Sequence, residues 1–196
     1  MAQLTGDPLP ALVRYVVDAK ASQFFLHAFA TGLAAVAAHN PKFAIRDFTG
    51  EVKFVPGTVS DASVKIKIRV SSFEIMDEVS KQDRAAIEQV MFQEVLETRL
   101  YPEITFESTD VSTSKVTENL FKAKIGGNLT LHGVTRRHQF DAQVVAGEDT
   151  LRGYGDFTVK QTEYGLRIAT VAGGTLKMKD EVRISFYMIG RKQGAV

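Results

Sequence analysis

The sequence predicts a mainly β fold, in which about eight antiparallel strands form a sandwich or barrel that carries one amphipathic helix. Apolar and polar residues alternate with period two in several separate runs, a single segment changes to helical spacing, and glycine or proline punctuates the intervals. The 196 residues are 44% hydrophobic and 24% charged, enough apolar material to bury a core and too little charge to keep the chain disordered. All-β domains often reach this size around one core. Residues 13–192 are therefore expected to fold as one domain behind a loose arm at 1–12, where Gly6, Pro8 and Pro10 accompany a lack of periodicity.

Taken in order, strands are expected from Arg14 to Asp18 and from Ser22 to Thr31. The alanine-rich span Leu33 to Ala38 fits a helix by composition and a strand or short turn by position. Phe48, Gly50, Val52 and Phe54 then alternate with Thr49, Glu51 and Lys53, and the clearest run follows, with Val64, Ile66, Ile68 and Val70 interleaved by Lys65, Lys67 and Arg69. Successive side chains of a strand point to opposite faces, so the apolar set of each run can enter a core while its basic partners stay hydrated. The same pattern returns in Ile104 and Phe106, in Phe121, Ala123 and Ile125, and in His138, Phe140, Ala142 and Val144. Gly153 to Lys160 and the run Val182, Ile184, Phe186, Met188 complete the set. Pro56-Gly57, Gly126-Gly127, His132-Gly133 and Gly173-Gly174 mark turns, bulges or bends.

One segment departs from alternation. Ser80 to Leu100 places Ile87, Val90, Met91 and Val95 on one helical face, Ser80 and Asp83 form a capping pair, and Pro102 bars continuation. The stripe, extended by Leu96, needs an apolar partner, which a barrel mouth would supply.

Composition and motifs exclude several functions. Basic and acidic residues number 24 and 23, so no long-range field gathers nucleic acid or an anionic membrane. The outward stripe of Lys53, Lys65, Lys67, Arg69, Lys122 and Lys124 has no aromatic residues interleaved for base stacking, which favours a solvated face. The absence of cysteine removes disulfides, thiolate metal sites and a thiol nucleophile. His27, His39, His132 and His138 show no ligand spacing, so no metal or cofactor is expected, and His39 and His132 read as turn residues bonded to backbone. No Gly-x-Ser-x-Gly elbow or phosphate-cradling loop occurs, and Glu94, Glu97, Asp110 and Asp141 read as solvated charges, so no catalytic residue is assigned. The N-terminus lacks a charged, uninterrupted signal pattern, and the stretch Phe24 to Ala38 falls short of the roughly 20 residues needed to span a bilayer. A cytoplasmic protein without a membrane span is expected.

The inward set remains: Phe48, Val52, Phe54, Ile66, Ile68, Phe106, Ile125, Leu129, Phe140, Phe157, Ile184 and Phe186. A closed barrel of about eight strands either fills its interior with side chains or holds one small ligand, and periodicity does not choose between them.

Four stretches resemble the YceI-like family of lipocalin-like polyisoprenoid-binding domains. They are Phe48-Thr49-Gly50-Glu51-Val52, Tyr101-Pro102-Glu103-Ile104-Thr105-Phe106-Glu107-Ser108, Leu129-Thr130-Leu131-His132-Gly133-Val134-Thr135-Arg136 and Asp180-Glu181-Val182-Arg183-Ile184. The resemblance covers nearly all of the chain after Val13. It departs at Ala21, where the family often carries a histidine before the serine of its first strand, and at Lys160-Gln161, where an arginine is usual. The resemblance implies an antiparallel lipocalin-like β-barrel with the helix packed on it, and an elongated pocket for an isoprenoid or fatty-acyl chain. It favours a hollow interior, with the twelve inward residues around the tail; Arg136, Arg137 and His138, which follow a turn, are the candidate partners of a head group at the mouth. The competing expectation is a packed interaction or stress-response module without a small ligand, dimerising through strand edges or the helix.

Overall fold

Alternation commits each strand to one wet and one dry face, and a long antiparallel sheet hides its dry face without a second layer only by curling onto itself. The computed structural model, which describes residues 12–31, 40–56, 60–171 and 176–193, takes this course. In chain order the strands are β1 (Val13–Val17), β2 (Gln23–His27), β3 (Ala30–Thr31), β4 (Lys42–Ile45), β5 (Phe48–Val55), β6 (Ser60–Arg69) and β7 (Phe73–Ile75). Helix α1 (Lys81–Gln89) separates them from β8 (Glu103–Lys115), β9 (Leu120–Leu131), β10 (Val134–Ala146), β11 (Thr150–Lys160), β12 (Thr170–Val171), β13 (Leu176–Met178) and β14 (Glu181–Gln193).

Eight of these strands close a barrel in the order β1-β5-β6-β8-β9-β10-β11-β14, because β14 pairs back to β1 from Arg14↔Gln193 to Val17↔Gly190. All described pairings within the barrel are antiparallel. The earlier part of β14 pairs instead with β2, and the sheet continues through β4 to β7. The step from β1 to β2 is a turn in which the Ala21 N–H donates to the Asp18 carbonyl, while Ser22 Oγ donates to that carbonyl and accepts from the Ile189 N–H. The expected strand from Ser22 to Thr31 is split for a separate reason. Its last two residues leave the barrel sheet to pair as β3 with β13, in a small sheet completed by β12.

Among the described pairings β7 joins only β4, so its other edge has no strand partner, and Arg84 of α1 bonds to the Ile75 carbonyl at its end. The Ser80 hydroxyl accepts from the Asp83 N–H and donates to the Asp83 carboxylate, which is the expected capping pair. The helix ends earlier than expected. After Gln89 it widens into a π turn at Val90–Val95, the Leu96 N–H reaches the Met91 carbonyl, and Glu97 at φ 43° turns the chain out of the helix. A left-handed residue thus ends the helix well before Leu100, and Pro102 follows a chain that has already turned away.

Two glycine positions are needed where strands crowd. Gly126 and Gly127 in β9 face a bulge of β8 between Ser108 and Asp110, and a side chain on Gly127 would collide with the Glu107 carbonyl and lie 2.7 Å from Ser108 Cα. His132 (φ 52°) and Gly133 (φ 73°) form the tight β9–β10 hairpin. Four residues of the basic stripe are matched by carboxylates. Lys65 pairs with Glu107 at 2.6 Å, Lys67 with Glu103 at 2.7 Å, Arg69 with Asp47 at 2.7 Å and Lys53 with Glu51 at 2.7 Å. The expectations placed on residues 1–11, Leu33 to Ala38, His39, Gly57 and Gly173-Gly174 lie outside the described residues.

Candidate ligand-binding site

Closing the barrel brings the inward residues of every strand onto one axis. They enclose a cavity of about 380 Å³ that reaches from beneath α1 to the opposite end of the barrel. Among the expected interior residues, Val52, Phe54, Ile66, Ile68, Phe106, Ile125, Leu129, Phe140, Phe157, Ile184 and Phe186 line it. Phe48 does not. It is buried in the wall at the start of β5, its ring 5.7 Å from that of Phe24, and so belongs to the packing around the cavity. Along β14 the lining runs from Val182 to Gly190, roughly 26 Å of extended strand, so the cavity is elongated.

The two ends differ. At the far end Tyr15, Phe54, Phe121 and Leu151 form a separate apolar cluster, with the Tyr15 and Phe54 rings stacked at 5.4 Å and the Tyr15 hydroxyl donating to the Gly147 carbonyl at 3.3 Å. At the near end Ile87, Val90, Met91, Val95 and Leu96 of the helical segment face the cavity, as their spacing predicts. Arg84 ties the start of this segment to the exit of β7, donating to the carbonyls of Ile75 at 2.8 Å and Asp77 at 3.3 Å. The other end is held by the β9–β10 hairpin, where His132 Nε2 meets Glu97 Oε2 at 2.8 Å and the imidazole packs 4.2 Å from the Tyr101 ring. His132 is a turn residue as expected, but its partner is a side chain, so a residue in the turn fastens the helical cover over the mouth.

Between the ends, Phe106, Phe140, Phe157 and Phe186 surround the axis with ring centroids 4.8 Å (Phe140–Phe157) to 6.5 Å (Phe157–Phe186) apart. His138 joins this group at 5.1 Å from Phe157. Its inward direction follows from its place in the alternation with Phe140 and Ala142. Burial pushes its imidazole below the ordinary histidine pKa, against a partial lift from Glu163, which favours the neutral form. Its Nε2 is shut off from water and has no hydrogen-bond partner among the described residues. The three candidate head-group residues therefore separate. Arg136 is exposed at the rim and donates through Nε to the Glu163 carbonyl, and Arg137 pairs with Asp110 and Thr109 on the surface. His138 alone of the three lines the cavity.

Gly153 and Gln161 also line it; the sequence marked Gln161 only as a departure from the family pattern and Gly153 not at all as a site residue. Gly153 was legible only as a strand residue, since nothing local says that the space opposite its Cα is open. Among the described residues no group of three or more histidine, aspartate or glutamate side chains could hold a metal ion, and no helix is long and apolar enough to cross a membrane.

The architecture has counterparts among solved structures. BcnA of Burkholderia cenocepacia superposes with a TM-score of 0.66 at 21% identity, covering 88% of this chain and 98% of its own. A polyisoprenoid binding domain from Saccharophagus degradans, implicated in plant cell wall breakdown, gives 0.65 at 15% identity over 91% and 98%. The Campylobacter jejuni YceI protein gives 0.60 at 16% identity over 80% and 86%. At these identities the likeness establishes the fold. A comparison with curated proteins finds no match. The family model for the YceI-like domain matches residues 15–189, which takes in every barrel strand at least in part, and the chain belongs to the YceI-like domain family.

Proposed function

We propose that this protein binds an amphiphilic lipid, an isoprenoid or fatty-acyl compound, within its barrel and sequesters the apolar chain from water. The observation that carries this reading is the elongated cavity of about 380 Å³, whose lining among the described residues contains only four polar or ionisable side chains: Asp77, Thr113, His138 and Gln161. Pockets for small molecules commonly measure about 300–1,000 Å³ and are apolar with a few placed polar groups. Water gains little in such a space, because it finds too few hydrogen-bond partners, whereas an apolar chain gains about 0.8 kcal/mol for each methylene removed from water.

The family supports the same reading, since one of its structural neighbours is a polyisoprenoid binding domain. A carrier or sensor needs no bond-making groups in the cavity, and binding without catalysis is the function proposed.

The test is native mass spectrometry of the purified protein, followed by solvent extraction and lipid analysis. A stoichiometric isoprenoid or acyl compound is expected. A clean extract that persists after incubation with isoprenols and fatty alcohols would reject the carrier and leave a packed interaction module.

A further inference from the structure

Within that lipid-binding reading, we propose that His138 is the polar anchor of the cavity and selects amphiphiles whose polar end is uncharged and hydrogen-bonding, such as an alcohol, amide or ketone, over those ending in a carboxylate or phosphate. An anionic end would need a cation, and among the described residues no lysine or arginine lines the cavity. The ionisable side chains there are His138 and Asp77, and the Asp77 carboxylate, which accepts the Lys42 N–H at 2.8 Å, repels an anion. Arg136, two residues before His138 on β10, is exposed and turned to the Glu163 carbonyl.

The other polar side chains are poorly placed for this role. The Gln161 amide donates to the Lys179 carbonyl at 2.9 Å, and Thr113 lies far along β8, paired with Ala123 of β9. His138 is different, because its Nε2 is buried without a partner among the described residues. An unpaired buried polar atom is costly, and a neutral imidazole offers one donor and one acceptor to whatever reaches it. The residue is itself part-exposed, so a small turn of the ring would bring Nε2 to the cavity, where a ligand hydroxyl or carbonyl would complete the pair. The geometry also orients the ligand. His138 pairs with Gly127 towards the α1 end of β10, and beyond it Ala142 and Val144 lead to the apolar cluster at the far end. The polar end therefore lies on the α1 side and the tail runs towards Leu151.

The experiment displaces a neutral fluorescent apolar probe at neutral pH with four compounds of equal chain length: dodecanol, dodecanamide, dodecanoate and dodecane. It uses the wild type, His138→Leu and His138→Gln. In the wild type the alcohol and amide should bind on the order of tenfold tighter than the hydrocarbon and the acid. His138→Leu should bring the alcohol and amide down to the hydrocarbon's affinity, leave dodecane unchanged and keep or raise the unfolding temperature. His138→Gln, which keeps a hydrogen-bonding group, should restore part of the preference and carries the test if the leucine variant fails to fold. The imidazole nitrogen resonances of the wild type should move with dodecanol and not with dodecane. Tightest binding of dodecanoate, or a preference that survives in His138→Leu, overturns the anchor. Equal binding of all four compounds overturns the anchor and leaves the lipid reading standing, and binding of none overturns both.

Discussion

Gly153 offers a direct way to fill the cavity without disturbing its walls. It lies in β11 between Val144 of β10 and Met188 of β14, lines the cavity, and has no atom within 4 Å of the place a Cβ would occupy. Gly153→Leu should therefore project a side chain into open space. Burying leucine is worth about 1.5–3 kcal/mol, and replacing a strand glycine adds a smaller gain, so the empty protein should gain about 2 kcal/mol. For a chain of this size that raises the unfolding midpoint by roughly 4–8 °C. Ligand binding should move the other way. The four side-chain carbons displace about four ligand methylenes at about 0.8 kcal/mol each, which lowers affinity on the order of a hundredfold. Thermal unfolding of the delipidated protein and titration with a long-chain alcohol measure the two effects. A lower midpoint would refute the claim of open space at Gly153, and a higher midpoint with unchanged affinity would show that the ligand binds elsewhere.

Three further perturbations address the mouth, the wall and the response to acid. His132→Ala removes the bond to Glu97 and the contact with Tyr101; denaturant titration should show a loss of about 1–2 kcal/mol and stopped-flow mixing a faster ligand release, while unchanged release would mean that the helical segment does not gate the mouth. Gly127→Ala places a methyl group against the β8 bulge and should cost about 1–3 kcal/mol by overpacking, with a neutral result contradicting the register of β8 on β9. His27 and His138 are held below the ordinary histidine pKa by burial, so the unfolded chain binds protons first as pH falls below about 6.5, and the stability present above that value should decline on acidification. A second decline should follow below about pH 4, because Asp18, Glu51, Asp110 and Asp180 are held low by hydrogen bonds from the Ala21 backbone, Lys53, Arg137 and the Thr162 backbone. An unfolding midpoint that stays flat between about pH 7 and pH 5 would contradict the histidine contribution.

Much of the wall was legible because its signal is local. The alternation of Val64, Ile66 and Ile68 with Lys65 and Lys67 follows from the two-residue period of a strand, and each side chain stands on the face that its parity assigns. The same logic placed His138 on the inner face. Ser80 and Asp83 marked the helix start because capping is settled within four residues, and the stripe from Ile87 to Leu96 identified the face turned to the cavity. The helix end was harder to read, since the left-handed Glu97 that follows the π turn is bonded through its side chain to His132, 35 residues further along the chain.

The sequence by itself thus determined the eight barrel strands, which of their faces are dry, and where the helix begins, but not the short strands β4, β7, β12 and β13, whose two to four residues are too few to show a period. Only the tertiary structure decided that β14 returns to β1, that Phe48 packs into the wall against Phe24, that Arg136 and Arg137 bond elsewhere while His138 stays unpaired, and that Gly153 faces empty space. The physical reason is that periodicity reports the direction of each side chain relative to its own backbone. Cavity volume and unmet hydrogen bonds depend on distances between strands far apart in the chain, which exist only once the barrel has closed.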